Sequence, residues 1–232
     1  VSIVKKHRRI AMDNLIYAFG HEKSPEEIEK IARQMFINLV TVVFEVGWSL
    51  HLKESQFTEY FRIDGYDYIK NDYEKGRGVL ALTAHFGNWE LLTVIGAMIK
   101  FPINIVVRPL DFKPLDHFIF NLRTRFGGKI IPKERSIHTI IRSLHRGEIV
   151  VLLMDQNVDW YEGVFVDFMG HRACTSKGLA LLALKTGAPV VPVFLVREQS
   201  GLRAEFGPEI VTVKAGDRQK DIEINTQEYN RV

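Results

Sequence analysis

Between residues 57 and 206, short apolar runs alternate with segments of helical pattern, and this alternation constrains the fold more than any other feature. We predict strands at residues 57–63, 79–84, 103–108, 129–131, 149–154, 164–168, 189–196 and 202–206. We predict helices at residues 66–75, 89–100, 115–125, 137–146 and 177–186. Strands and helices of these lengths in alternation form βαβ units. The expected fold class is therefore α/β, with a mixed, mostly parallel central sheet flanked by helices.

Two predicted helices precede this region and form an N-terminal helical arm at residues 1–52. The first, at residues 3–17, starts with the basic cluster Lys5 to Arg9. The second is expected to have Ser24 as N-cap and Pro25 at its first position, and to run to about Leu50. Its part from residue 36 to 48 is nearly apolar on all sides, which indicates deep burial or contact with lipid.

Composition excludes several classes of protein. The 232 residues carry a net charge of +3, which is too small to predict nucleic-acid binding, and the single cysteine, Cys174, excludes an intrachain disulfide. No uninterrupted apolar run approaches the ~18 residues needed to span a bilayer. The chain starts at Val1 and ends at Val232 within a segment of helical pattern, so we expect it to be a fragment of a longer protein.

The hexapeptide His85-Phe86-Gly87-Asn88-Trp89-Glu90 lies where a predicted strand ends and a predicted helix begins. Open α/β sheets place ligands and catalytic groups at such ends. On one continuous helix, His85 and Glu90 would point roughly 140° apart, so they can meet only if the chain bends. Gly87 permits a bend and Asn88 suits the N-cap that follows, so we predict that Glu90 orients His85 as a general base. The alternative is that His85 merely ends the strand and Glu90 is solvated.

Polar residues also follow two other predicted strands, namely Arg108 and the pair Asp155-Gln156. The carboxyl ends of parallel strands share one edge of a sheet, so these side chains should face the same crevice as His85. Arg108 has a planar guanidinium suited to a phosphate, although an ion pair with Asp155 is an alternative. The other histidines lack the paired spacing of a zinc site, and no nucleophile motif surrounds Cys174. We therefore expect no metal and no covalent enzyme intermediate.

The hexapeptide resembles the His-x4-Asp/Glu box of the glycerolipid acyltransferases. Its exact residue sequence resembles that of the box in the late acyltransferases of lipid A biosynthesis, the lauroyl and myristoyl transferases. Further segments that agree in order and spacing are Arg108-Pro109, Asp155-Gln156, residues 164–170, Thr175, residues 188–192, Asn14-Leu15, Ala18-Phe19 and Glu45. The resemblance implies a single acyltransferase domain at residues 1–232, with the arm at 1–52 and an α/β catalytic core at 53–232. It also implies that an N-terminal membrane anchor and a C-terminal tail rich in Trp and Arg lie outside the chain.

The implied activity is transfer of a fatty acyl group from acyl carrier protein, or acyl-CoA, to a hydroxyl of a membrane glycolipid, a lipid A precursor. By the resemblance, His85 is the general base and Glu90 orients it. The residues expected to bind substrate are Gly87, Asn88, Arg108, Asp155 and Gln156. The Gly87 and Asn88 amides and Arg108 are the candidates for stabilising the oxyanion.

The resemblance further implies three partners: acyl carrier protein, the glycolipid acceptor and a membrane surface, at the cytoplasmic face of the bacterial inner membrane. No cofactor beyond the acyl thioester and no nucleic acid is expected. Two alternatives stay open. One is acylation of a lysophospholipid or a phosphatidylinositol mannoside, and the other is a non-catalytic, membrane-associated binding protein.

Overall fold

The computed structural model describes residues 5–134 and 136–232, and two helices precede its α/β core. Helix α1 is Lys5–Phe19 and helix α2 is Pro25–Ser49, so the predicted start of α1 at residues 3 and 4 lies outside the described part. Helix α2 begins as predicted. The Ser24 hydroxyl accepts a hydrogen bond from the Glu27 amide, and the Glu27 carboxylate accepts one from the Ser24 amide, which together form a capping box.

Strands and helices alternate through the rest of the chain. The strands are β1 Phe61–Asp64, β2 Val79–Thr83, β3 Ile103–Val107, β4 Lys129–Pro132, β5 Ile149–Leu153, β6 Gly163–Phe168, β7 His171–Ser176, β8 Val190–Glu198 and β9 Gly201–Phe206. The helices of this region are α3 Phe57–Tyr60, α4 Tyr66–Glu74, α5 Leu92–Ile99, α6 Lys113–Thr124, α7 Ile137–His145, α8 Gly178–Thr186 and α9 Arg218–Tyr229. Single 3₁₀ turns occur at Glu54–Gln56 and Trp89–Leu91.

Seven of these strands form one sheet in the order β1-β9-β8-β2-β5-β3-β4. Strand β2 pairs in parallel with β5 on one side and with β8 on the other, whereas β8 and β9 are antiparallel. Strands β6 and β7 form a separate antiparallel hairpin. The prediction of a mixed, mostly parallel sheet in an α/β fold with an N-terminal helical arm is confirmed.

Helices cover both faces of the sheet, which explains why the central strands are almost continuously apolar. In β2, Val79 and Ala81 belong to the core on one face, which α5 and the second half of α2 complete. Leu80 and Leu82 belong to the opposite core, which α7, α8 and α9 complete. The sheet is thus the middle of three layers. Side chains at the ends of its strands are not covered by the helices on either face.

The predicted strand at residues 57–63 is wrong in its first half. Residues Phe57–Tyr60 form the short helix α3, and only Phe61–Asp64 is a strand. Phe57 and Phe61 are four residues apart and both are buried, with their ring centroids 6.3 Å apart. One helical turn brings the two rings close together in the core, whereas in an extended segment the same two positions would face one side but lie roughly 13 Å apart.

Helix α2 is long and apolar enough to cross a membrane by length and composition, which the count of uninterrupted apolar residues missed. Its buried face includes Val42 and Val46. On its other face Val40, Val43 and Phe44 are exposed, with 74% of Phe44 accessible. Of the two interpretations offered for this segment, deep burial is therefore excluded for that face.

Glu148 lies at the amino-terminal ends of the parallel strands, directly before β5, and is only 7% exposed. It accepts hydrogen bonds from Asn104 at 2.8 Å, Lys129 at 3.1 Å and Arg146 at 3.3 Å. Burial by itself raises the pKa of Glu148, but these donors outweigh it and lower the pKa from 4.5 to about 2. The ionised carboxylate therefore joins β3, β4 and β5 at these ends.

This cluster predicts a specific acid sensitivity of stability. The pKa of Glu148 is lower in the folded than in the unfolded chain, so its contribution is complete above about pH 4.5 and is lost as the pH falls toward 2. The shift corresponds to about 3 kcal/mol. Urea unfolding between pH 6 and about pH 3 should show the loss in the natural chain but not in Glu148→Gln. Exposed Glu74→Gln is the control, and equal pH slopes for the natural chain and Glu148→Gln would contradict the prediction.

Candidate active site

His85 and Asp155 come from adjacent parallel strands at the same distance beyond their ends. Thr83 of β2 is in register with Leu153 of β5, and the next hydrogen bond runs from the Met154 amide to the Thr83 carbonyl. His85 lies two positions after Thr83, and Asp155 lies two positions after Leu153. The register of the sheet therefore sets His85 beside Asp155, although 70 residues separate them in the chain.

The two side chains form a close, well-directed pair. The Nδ1 atom of His85 is 2.9 Å from Asp155 Oδ1, and the His85 backbone amide donates to Asp155 Oδ2 at 3.0 Å. Both carboxylate oxygens thus hold the same residue. This arrangement favours the imidazole tautomer that carries its proton on Nδ1, which leaves a lone pair on Nε2.

The environment of the pair suits proton transfer. Burial raises the pKa of Asp155, but the hydrogen bonds and charge of His85 outweigh it, so the pKa stays below the ordinary value and the carboxyl is ionised at neutral pH. The His85 side chain is 34% exposed, and within the described residues Nε2 makes no hydrogen bond. The Trp89 ring packs edge-on against the imidazole with centroids 4.9 Å apart. A fixed imidazole with an open Nε2 is the arrangement of a general base.

Glu90 does not occupy the predicted place beside the imidazole. Its carboxylate accepts two hydrogen bonds from Arg123 of α6, at 2.8 and 2.7 Å, and a third from the Trp89 indole at 3.1 Å. The Glu90 and Arg123 side chains are only 13% and 19% exposed. The expectation that Glu90 orients His85 directly is therefore wrong in its geometry. The 3₁₀ turn at Trp89–Leu91 directs Glu90 toward α6. In the part of the chain that the structure describes, the Trp89 ring links Glu90 to His85.

Gly87 and Asn88 hold the loop against β8. Gly87 has a φ of +61°, and a Cβ atom there would lie 1.8 Å from the Leu195 carbonyl oxygen. Asn88 is fully buried, its amide donates to Leu195 O at 3.0 Å, and its side chain donates to Glu45 at 2.7 Å instead of capping the following turn. The Asn88 backbone amide is thus already used and is not available to an oxyanion in this conformation.

Arg108 and Gln156 lie at the same edge of the sheet as the pair. Arg108 follows β3, the neighbour of β5, and its side chain is 78% exposed, with Asp111 3.9 Å away. The alternative ion pair of Arg108 with Asp155 is therefore not formed. Gln156 is exposed next to Asp155. Three adjacent strands, β2, β5 and β3, thus direct His85, Asp155-Gln156 and Arg108 to one edge.

Two roles were not anticipated from the sequence. Asp155 was expected to bind substrate, whereas it is the carboxylate that contacts the imidazole. The signal for this role was that His85 and Asp155 lie the same number of residues beyond the ends of two paired parallel strands. The second is Arg123 of α6, which is the hydrogen-bond and ion-pair partner of Glu90. Within residues 5–134 and 136–232, no three His, Cys, Asp or Glu side chains are grouped so that they could hold a metal ion.

The fold and the pair together define an α/β protein whose sheet presents a histidine–carboxylate pair with a geometry suited to general acid–base chemistry. Residues 1–232 match the family described as bacterial lipid A biosynthesis acyltransferase, and the chain belongs to this family. The resemblance stated from the hexapeptide is thereby confirmed.

Three of its relatives are 26% or 27% identical to the chain. The chain is 26% identical over 191 residues to a lipid A biosynthesis acyltransferase of Haemophilus influenzae, which covers 82% of this chain and 59% of the relative. It is 26% identical over 210 residues to a lipid A biosynthesis palmitoleoyltransferase of Escherichia coli, covering 89% and 68%. It is 27% identical over 154 residues to a phosphatidylinositol mannoside acyltransferase of Mycolicibacterium smegmatis, covering 65% and 50%. The chain thus spans between half and about two thirds of the length of these relatives.

Proposed function

We propose that this chain is the catalytic core of an O-acyltransferase that moves a fatty acyl group from an acyl thioester to a hydroxyl of a membrane glycolipid. The observation that carries the proposal is the His85–Asp155 pair, with Nε2 of the imidazole open at the carboxyl edge of the sheet. The thioester is that of acyl carrier protein, with acyl-CoA as the other donor to be tested. Membership of the family supports this reaction class.

The proposed reaction is a direct transfer. Nε2 of His85 takes the proton of the acceptor hydroxyl as its oxygen attacks the thioester carbonyl, and the new C–O bond gives a tetrahedral oxyanion. When the C–S bond breaks, His85 returns the proton to the leaving thiolate. Asp155 holds the Nδ1 proton and stabilises the imidazolium between the two steps. No group on the protein needs to be acylated, because holding both substrates together makes the attack effectively intramolecular.

A phosphorylated glycolipid suits the residues around the pair. The exposed guanidinium of Arg108 lies at the same edge as His85, and its planar fork matches a phosphate. A lipid A precursor is the proposed acceptor, since relatives named for lipid A biosynthesis align over 82% and 89% of the chain. Acylation of a phosphatidylinositol mannoside is the second candidate, favoured by a match over a shorter part of the chain.

An acyl-transfer assay tests this proposal. The purified protein in detergent–lipid micelles should transfer one acyl chain from acyl carrier protein or acyl-CoA to a lipid A precursor. Mass spectrometry should show the acceptor heavier by one acyl group, and free thiol should be released in equal amount. Phosphatidylinositol mannoside and a lysophospholipid are the competing acceptors. Preferred acylation of either would move the assignment to that acceptor, and binding of the glycolipid without transfer to any acceptor would favour a non-catalytic role.

We also propose a peripheral membrane location for this part of the protein, at the cytoplasmic face of the inner membrane. Helix α2 exposes an apolar strip that includes Val40, Val43 and Phe44. Helix α1 begins with exposed basic residues from Lys5 to Arg9. An exposed apolar helix face together with basic residues on a neighbouring helix is typical of segments that lie on anionic bilayers.

Vesicle flotation should detect this contact. The natural chain should float with vesicles that contain phosphatidylglycerol and bind less to neutral phosphatidylcholine vesicles, because part of the attraction is electrostatic. The double variant Val43→Glu/Phe44→Glu should lose most of the binding. Val211→Glu is the matched control, because Val211 is 75% exposed but lies outside α2. Equal flotation of the two variants would exclude α2 as the contact.

A further inference from the structure

Glu45 is a carboxylate in the otherwise apolar second half of α2. Its side chain is only 19% exposed, and it is surrounded in sequence by Val43, Phe44 and Val46. A carboxylate in such a place is costly unless it is paired and hydrogen-bonded. Its partners therefore indicate why it is there.

Those partners belong to two other elements of the fold. Arg197 at the end of β8 donates from Nε to Glu45 Oε1 at 2.5 Å and from its terminal nitrogen to Oε2 at 2.8 Å. The hydrogen bonds that Arg197 donates to Glu45 raise the pKa of the guanidinium further above its ordinary value. Asn88 donates from Nδ2 to Glu45 Oε2 at 2.7 Å. One carboxylate thus joins α2, β8 and the loop that carries His85.

Asn88 makes this junction relevant to the imidazole. It is three residues from His85 and fully buried, and Gly87 before it is pressed against Leu195 with a positive φ. The other end of its amide, Oδ1, is buried without a hydrogen-bond partner. If Glu45 were removed, both ends of a buried amide would be unpaired, and the loop would lose its side-chain hydrogen bond to α2.

We propose that Glu45 is a positioning residue for His85. Through Asn88 it fixes the loop on which the imidazole stands, and through Arg197 it fixes that loop to β8. As far as turnover is concerned, the inference rests on the proposed acyl transfer. The ordering of the loop does not depend on the reaction and can be measured separately. The position of α2 and the direction of the His85 side chain are thereby linked.

Two variants separate positioning from a merely structural ion pair. In Glu45→Gln, the side-chain amide must turn its own N–H groups toward Arg197 or Asn88, so the junction loosens. In Glu45→Met/Arg197→Met, both charges are removed together, so neither member of the pair is left as an unpaired buried charge. Asn88 still lacks its acceptor in this double variant. Both variants should therefore have kcat reduced about 10- to 100-fold, with KM for donor and acceptor changed less than about twofold.

Hydrogen–deuterium exchange gives a readout that does not involve activity. Peptides that span residues 84–91 should exchange several-fold faster in Glu45→Met/Arg197→Met than in the natural protein. Glu29→Gln is the matched control, because Glu29 lies on the same helix in an exposed ion pair with Arg8 and should leave exchange and kcat unchanged. A double variant with natural loop exchange and natural kcat overturns the inference. Faster loop exchange in a protein that transfers no acyl group would instead support the positioning role and count against the proposed reaction.

Discussion

Replacing His85 with alanine is expected to lower acyl transfer by about 10²- to 10⁴-fold while the protein stays folded. In the proposed reaction this imidazole takes the hydroxyl proton and later returns it, so no other side chain substitutes for it. The side chain is about one third exposed, so its removal leaves no closed cavity in the core. Single-turnover transfer from the acyl thioester measures the loss, and thermal unfolding checks the fold.

The control for this variant is His117→Ala, which removes an exposed histidine of α6 and should keep full activity. Substrate binding provides a second check, because loss of the base should affect kcat more than KM. A folded His85→Ala protein that retains the natural rate would falsify the assignment of His85 as the general base. Such a result would direct the search for a base to other groups at this edge of the sheet.

Replacing Asp155 with asparagine is expected to lower kcat about a hundredfold or more, with little change in KM. The amide of asparagine can donate a hydrogen bond to Nδ1 and so favour the opposite tautomer, in which Nε2 carries the proton and cannot accept another. It also removes the negative charge that stabilises the imidazolium. The measurement is the dependence of kcat on pH for the natural protein and Asp155→Asn, with the melting temperature of each determined in parallel.

Glu90→Gln is the contrasting variant. If Glu90 rather than Asp155 were the main partner of the imidazole, Glu90→Gln would lower kcat more than Asp155→Asn does. The Glu90–Arg123 pair is largely buried, so breaking it should cost about 3–5 kcal/mol of stability. The loss of turnover should follow from loosening of Trp89 and be smaller than that of Asp155→Asn. If Glu90→Gln were fully stable but less active than Asp155→Asn, the pairing of His85 with Asp155 would not be the catalytic one.

The sequence contains enough information to predict the sheet and the edge where the site lies. Apolar runs such as residues 79–84 and 149–154 identify buried strands, since strands covered on both faces have no polar alternation. It also places His85, Arg108 and Asp155 at strand ends. The pairing of His85 with Asp155 required the strand order in addition, because only adjacent strands bring their end residues into contact.

Other elements were harder to predict because polar contacts hold them. Helix α9 has no apolar stripe, and its buried side chains include Asp221, Asn225 and Thr226. The Asp221 carboxylate accepts from the Ala215 amide at 2.7 Å, so side-chain contacts to a loop backbone hold this helix in addition to the buried Ile222 and Tyr229. Hydrophobic periodicity cannot detect such a helix, which is why only its last part was anticipated. The same limit applies to Glu90, whose partner lies on α6.

The place of β5 between β2 and β3 also has a consequence for biosynthesis. Strands β2 and β3 follow each other along the chain, but they are separated in the sheet by a strand made about 40 residues after β3. A nascent chain that has reached only β4 therefore cannot hold β2 in its native place, and its apolar strands have unpaired edges. The position of β5 also brings Asp155, which follows this strand, into contact with His85. The ribosome must therefore release residue 155 before the His85–Asp155 pair can form. A chain cut before that point would have the histidine without its carboxylate.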